Sequence, residues 1–147
     1  MGKLFLIVMW GLTLYIFLKL PDRIPIHFNA IGQADSYGDK ATFVMLPLLA
    51  TALYMGITKT NEYPHIFNYV TQITESNAQA QYTLATRLLR FIKLSVLLVF
   101  SVLIVLIYLT AIGVTSGLGT WFLPLFTGFL LIPAVITIIQ SLKNKSV

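Results

Sequence analysis

Uncharged runs and polar loops alternate along this chain. Residues 4–18, 41–58 and 94–142 contain no Asp, Glu, Lys or Arg, in runs of 15, 18 and 49 residues. An apolar core of about 30 Å needs about 20 helical residues, so the last run holds two spans. Three glycines within residues 113–119 mark the break between them. The pattern predicts an all-α integral membrane protein with four transmembrane helices. The expected spans are residues 4–20, 42–58, 91–112 and 120–140, with an outer loop at 21–41 and an inner loop at 59–90, all in one membrane domain over 1–147. The first run is short, and it reaches Leu20 only if Lys19 snorkels to the interface. No small-x-small cleavage site follows Leu18, which favours an uncleaved anchor over a signal peptide.

The loops carry patterns of their own. In the outer loop Ile24, Ile26 and Phe28 alternate with Arg23, Pro25, His27 and Asn29, as in an extended segment buried on one side. Gly32 and Gly38 supply turns. In the inner loop Phe67, Tyr69 and Ile73 suggest another short extended piece. Thr74 or Ser76 is placed to cap a helix, with Glu75 favourable at its start. The stripe Ala78, Tyr82, Ala85, Leu89 and Ile92 predicts an amphipathic helix, with Ser76, Gln79, Thr83, Arg87 and Arg90 on its other face. That helix is expected to run directly into the third span and to set Arg87, Arg90 and Lys93 at the lipid surface. Pro47, Pro124 and Pro133 are expected to kink the second and fourth spans. Trp121 suits the headgroup level, and Trp10 suits packing against another helix.

Composition closes off several functional classes. The chain is 57% hydrophobic and 10% charged, with a mean hydropathy of +0.84. Soluble domains carry about 25% charged residues, so an ordinary soluble enzyme and a disordered tail are both excluded. The net charge of +5 does not point to nucleic acid. Lys3, Lys59, Arg87, Arg90, Lys93, Lys143 and Lys145 fall on one side of the expected bundle, and Lys19, Arg23 and Lys40 on the other. The positive-inside rule therefore places both termini in the cytoplasm. The bilayer itself is the first partner.

Candidate chemistry is sparse. The chain has no cysteine, and no H-E-x-x-H or phosphate-cradling motif. Asp22, His27, Asp35 and Asp39 could form a carboxylate and imidazole cluster on the outer loop, yet no close ligand pair marks a metal site. His27 and His65 lie on opposite sides of the membrane and cannot share an ion. No charged residue or histidine lies deep within spans two to four, which argues against an ion-coupled transporter. No metal and no cofactor are expected. The candidate ligand-binding residues are His27, Asn29, Asp35 and Tyr37, because a few polar groups beside apolar ones suit an amphiphilic ligand. The candidate inner-loop motif is Asn61, Pro64, Asn68, Tyr69 and Asn77. A membrane-embedded enzyme using His27 and Asp35 stands as one alternative, with the balance against catalysis. A regulatory subunit docking a partner through the inner loop stands as another.

Two loop motifs carry a resemblance. The outer one is Leu20-Pro21-Asp22-Arg23-Ile24-Pro25-Ile26-His27-Phe28, followed by Gly32, Asp35, Tyr37-Gly38 and Lys40. The inner one comprises Asn61, Pro64-His65, Phe67-Asn68-Tyr69, Ile73-Thr74, Asn77-Ala78 and Gln81-Tyr82. Together they resemble the N-terminal domain, of unknown function, of Sdp-type toxin-immunity membrane proteins. The resemblance covers roughly residues 1–93, and the remainder more loosely. It implies a multi-pass protein of the bacterial inner membrane. It also implies immunity to a hydrophobic peptide toxin, with that peptide or another membrane protein as partner. Full immunity proteins of this type carry further spans beyond the four expected here. The resemblance brings no catalytic residues.

Overall fold

The computed structural model describes residues 2–144. Lys145, counted above among the inner basic residues, lies outside the described residues. The elements in chain order are α1 (Gly2–Phe17), β1 (Arg23–Phe28), β2 (Ala34–Asp39), α2 (Met45–Thr60), α3 (Ala78–Ala111) and α4 (Phe122–Lys143), with 3-10 turns at Lys40–Val44 and Pro64–Ile66. The protein is thus mostly helical rather than all-α, because the outer loop folds into a two-stranded antiparallel hairpin. Among the described residues, three stretches are long and apolar enough to cross a membrane: Lys40–Thr60, Ala78–Ala111 and Phe122–Lys143. The 16 residues of α1 fall short of that length.

The core lies where α1, α2 and the outer half of α3 meet the hairpin. Met9, Ile16, Ile24, Phe43, Ala50, Leu97 and Ile104 are among its buried members. Trp10 packs across helices as expected, its indole N–H donating to Thr51 Oγ1 at 3.0 Å. Pro47 and Pro124 are each the third residue of α2 and α4, in the first turn, where proline is tolerated best. Of the three prolines, Pro133 is the one inside a helix.

The inner amphipathic helix and the third span are one element of 34 residues, as the stripe implied. At its start Thr74, one of the two expected caps, pairs reciprocally with Asn77, the residue before the helix: Thr74 Oγ1 accepts from Asn77 N at 3.4 Å, Asn77 Oδ1 accepts from Thr74 N at 2.9 Å, and Thr74 O accepts from Ala78 N at 3.0 Å. The inner loop forms no strand over Phe67, Tyr69 and Ile73. A 3-10 turn at Pro64–Ile66 is held there by Tyr69, whose hydroxyl donates to Pro64 O at 2.8 Å.

The helices do not share one level. Lys93 on α3 donates to Thr58 Oγ1 on α2 at 3.1 Å, and Leu46 shares a cavity wall with Ile107. Farther toward the inner loop, Phe91 meets Phe129 at 5.1 Å between ring centres, and Gln81 meets Ser141. At about 1.5 Å rise per residue, the midpoint of α4 lies roughly 17 Å closer to the inner loop than that of α2.

Candidate functional site

The outer hairpin is built from turn chemistry. Leu20 closes the end of α1, and Pro21 cannot extend the helix. Asn29 shapes the hairpin tip: its side-chain oxygen accepts from Ile31 N at 3.1 Å and Gln33 N at 3.0 Å. Gly32 follows at φ +79°, and a Cβ there would stand 2.5 Å from Gly119 O. The tip is tied to the α3–α4 connection, where Leu118 N donates to Gly32 O at 2.7 Å and Gln33 bridges Gly117. At the other end Lys40 donates to Asp22 Oδ1 at 2.8 Å, and Lys40 N to Asp22 O at 3.0 Å. Asp39 accepts from Ala41 N at 2.7 Å and so caps the turn leading to α2.

The expected aspartate and histidine cluster therefore divides. Asp22 pairs with Lys40, Asp39 caps a turn, and only Asp35 reaches His27. His27 Nδ1 and Asp35 Oδ1 are 2.5 Å apart, with their side chains 68% and 41% exposed. The carboxylate fixes the imidazole's orientation through Nδ1. The Lys40 ammonium, bonded to Asp22, holds that carboxyl below its ordinary range. Among the described residues no group of three or more His, Cys, Asp or Glu is placed to hold a metal ion.

The expected alternation along β1 fails at Ile26. Ile24 is 1% exposed and Pro25 is also buried, while Ile26 is 48% exposed. The pairing explains this: the register shifts between Pro25 and His27, and again between His27 and Phe28. A bulged residue leaves the two-residue period, so the side chains beyond it no longer keep the same face. Ile26 leans over Gly38, where an added Cβ would lie 2.8 Å from its Cδ1. Tyr37 stands exposed across from Pro25. Of the four outer candidates, His27 and Asp35 are brought together and Tyr37 is free. Asn29 is committed to the turn.

The inner-loop candidates also part company. Asn77 is fully buried: its Oδ1 accepts from Thr74 N at 2.9 Å, and its Nδ2 donates to Gln72 O at 3.0 Å. Tyr69 bonds Pro64 and stacks with Phe67 at 6.3 Å between ring centres. Partial burial raises its phenol above the ordinary value. Asn61 Oδ1 is enclosed without a hydrogen-bond partner, and Asn68 lines an adjacent cavity.

The polar contact that joins the two inner elements is carried by Gln81. Its Nε2 donates to Ser141 O at 3.0 Å, and its Oε1 accepts from Ser141 Oγ at 2.5 Å. The signal for it was present, since Gln81 stands four residues before Ala85 on the stripe that faces inward. Lys93 is a second revision. It does not point to the lipid surface but into the bundle, with its ammonium 5.0 Å from the centre of the Tyr54 ring.

Comparison with known proteins singles out the N-terminal region. Residues 4–51 match a family described as a domain of unknown function, DUF1648. An uncharacterized protein of Archaeoglobus fulgidus is 32% identical over 69 residues, covering 42% of this chain. The match spans 38% of that relative's length. No solved structure matches this chain. The region shared with the family contains α1, the whole hairpin and the first residues of α2. It thus includes the Asp22–Lys40 and His27–Asp35 pairs, but not residues 117–119 that meet the hairpin tip.

Proposed function

We propose that this chain is a four-span protein of the cell membrane, with both termini cytoplasmic, whose outer hairpin recognises an amphiphilic ligand. The single observation that carries this reading is the division of labour on the hairpin. Asn29, Gly32, Asp39 and the Asp22–Lys40 pair hold its shape. His27, Asp35, Tyr37 and Ile26 remain exposed at its surface. Exposed apolar groups beside an oriented polar pair suit a ligand with both characters. The resemblance to toxin-immunity proteins supports a membrane-active peptide as that ligand and protection against it as the outcome. The seven-to-three distribution of Lys and Arg supports the orientation. The fourth span is α1, with Lys3 and Lys19 snorkelling at its two ends.

The test is a protection assay with candidate membrane-active peptides on cells producing the chain. His27→Ala and Asp35→Asn should abolish protection and peptide capture in mild detergent, with the melting temperature unchanged. Loss of expression and melting temperature together in both variants would make the pair structural and end this reading. The oriented imidazole also favours acid–base chemistry as a second reading. Under it, turnover of an ester or amide substrate would fall with His27→Ala.

A further inference from the structure

The inner loop carries apolar side chains that the described residues leave uncovered. Ile66 is 65% exposed, Val70 56% and Tyr63 40%. No Asp, Glu, Lys or Arg occurs over residues 63–74. Just before that run, Lys59 and Glu62 neutralise one another at 2.7 Å. Ile66 and Val70 also line a cavity of about 400 Å³, whose walls include Leu88 and Leu89 of α3 and Ile138 of α4. Ile66, Val70 and Ile138 therefore stand around one opening, and all three are exposed. An apolar rim of this kind would be costly in water.

The two helices beside the rim set its depth. On α4, Ile138 belongs to apolar surface that continues through Val135, Ile136 and Ile139, all exposed on a helix apolar enough to cross a membrane. Lys143, the first charge toward the inner end of α4, stands five residues beyond Ile138, or about 7.5 Å. On α3, Arg87 and Arg90 share two turns with Leu88 and Leu89 but occupy the opposite face, where both are exposed. A depth with exposed isoleucine on one face and exposed arginine on the other is the boundary between headgroups and acyl chains. The exposed Asn68 and Gln72 suit that depth, since polar groups there still reach water, and they would not suit the hydrocarbon centre. We infer that the inner loop is a membrane-inserted element, with Ile66 and Val70 entering the headgroup–acyl boundary of the leaflet on the inner-loop side, next to the end of α4. Its partner is the lipid surface, and the cavity opens toward lipid. α2 ends at Thr60, and the loop that follows takes its place beside α3, with Tyr69 against Tyr82 at 5.7 Å between ring centres.

The inference is independent of the outer hairpin and of any ligand there, and it is tested on the full chain in phosphatidylcholine vesicles. The chain has no cysteine, so Ile66→Cys, Val70→Cys and Glu75→Cys each carry a single nitroxide label. Collisions of the label with oxygen, which concentrates in lipid, are compared with collisions with an aqueous nickel chelate. Oxygen should dominate at Ile66→Cys and Val70→Cys, and nickel at the exposed Glu75→Cys. The ratio of the two should place both loop labels about 5–10 Å into the boundary region. Should one label lower the melting temperature, the other position decides. Nickel dominance at the loop positions would overturn the proposal and leave the rim as a surface for a soluble partner. Few collisions with either reagent would overturn it as well, since protein would then cover the rim. A depth near the bilayer centre, or opposite results from two variants that both melt like wild type, would overturn the interfacial seat.

Discussion

Removing the Gln81–Ser141 contact should loosen α4 from the rest of the protein. Gln81 is 1% exposed and makes two hydrogen bonds to one residue on the neighbouring helix. Interhelical hydrogen bonds in membrane proteins contribute about 0.6 kcal/mol on average and up to about 1.7. Two such bonds therefore give roughly 1–3 kcal/mol. The upper half of that range is favoured because truncation leaves enclosed polar atoms behind, each costing about 1–3 kcal/mol when left unmet. The informative experiment is a double-mutant cycle of Gln81→Ala and Ser141→Ala. Unfolding is followed by Trp121 fluorescence in mixed detergent. Ser141→Ala deletes only the hydroxyl bond, so the coupling should be about 1 kcal/mol, above the roughly 0.3–0.5 kcal/mol by which independent sites depart from additivity. Gln81→Leu keeps most of the packing and should still be destabilised. Coupling within the error of additivity, or a Gln81→Leu variant as stable as wild type, would refute the view that polar bonding fixes α4.

Gly32→Ala should destabilise the hairpin by at least about 1–2 kcal/mol, since a left-handed φ disfavours a side chain and Gly119 occupies the space for it. Thermal melting, with limited proteolysis at the hairpin tip, reads that loss. Ser36→Cys should react with an impermeant maleimide in intact cells and Glu75→Cys should not; the opposite pattern would reverse the orientation. Both positions are exposed, whereas Asn77 is buried and would make a poor reporter. The Asp22 carboxyl is held low by Lys40, so its contribution to stability is present above its unfolded value and lost as pH falls through the folded one. Melting temperature against pH on the acid side should therefore flatten in Asp22→Asn. An unchanged slope would show that this exposed pair carries no linkage.

The helices were legible because apolar runs and their breaks depend on composition alone. α3 was legible across the loop boundary because Ala78, Ala85, Leu89 and Ile92 keep helical spacing without interruption. The extended outer loop was legible as well, but its faces were not. Strand alternation holds only until a bulge, and nothing in Ile24-Pro25-Ile26-His27 announces one. The aspartates failed differently. Asp22, Asp35 and Asp39 look equivalent in sequence, but turn geometry sends each to a different partner. Pro47 and Pro124 fall in first turns because α2 and α4 start a few residues away from the edges of the apolar runs, while Pro133 lies inside α4.

The offset of α4 ties these observations together. Along α3, Lys93 meets Thr58 of α2, while Phe91 and Gln81 meet Phe129 and Ser141 of α4. Measured along α3, the apolar bands of these two helices together extend roughly 45 Å, against about 30 Å of hydrocarbon. One flat bilayer cannot cover both bands at full length, so tilt, local thinning or snorkelling has to absorb the difference. The sequence supplies the means for snorkelling. Lys3, Lys19, Arg87 and Arg90 stand at or within the edges of apolar segments and have long stems that carry charge toward the interface. Lys93 is handled otherwise, with its charge met inside the bundle by Thr58 and the Tyr54 ring. The polar contacts at Lys93 and Gln81 therefore fix two different neighbours of α3 at two different depths. That arrangement separates the level of the hairpin from the level of the inner cavity, so a perturbation of Gln81 should move α4 and the cavity while leaving His27 and Asp35 in place.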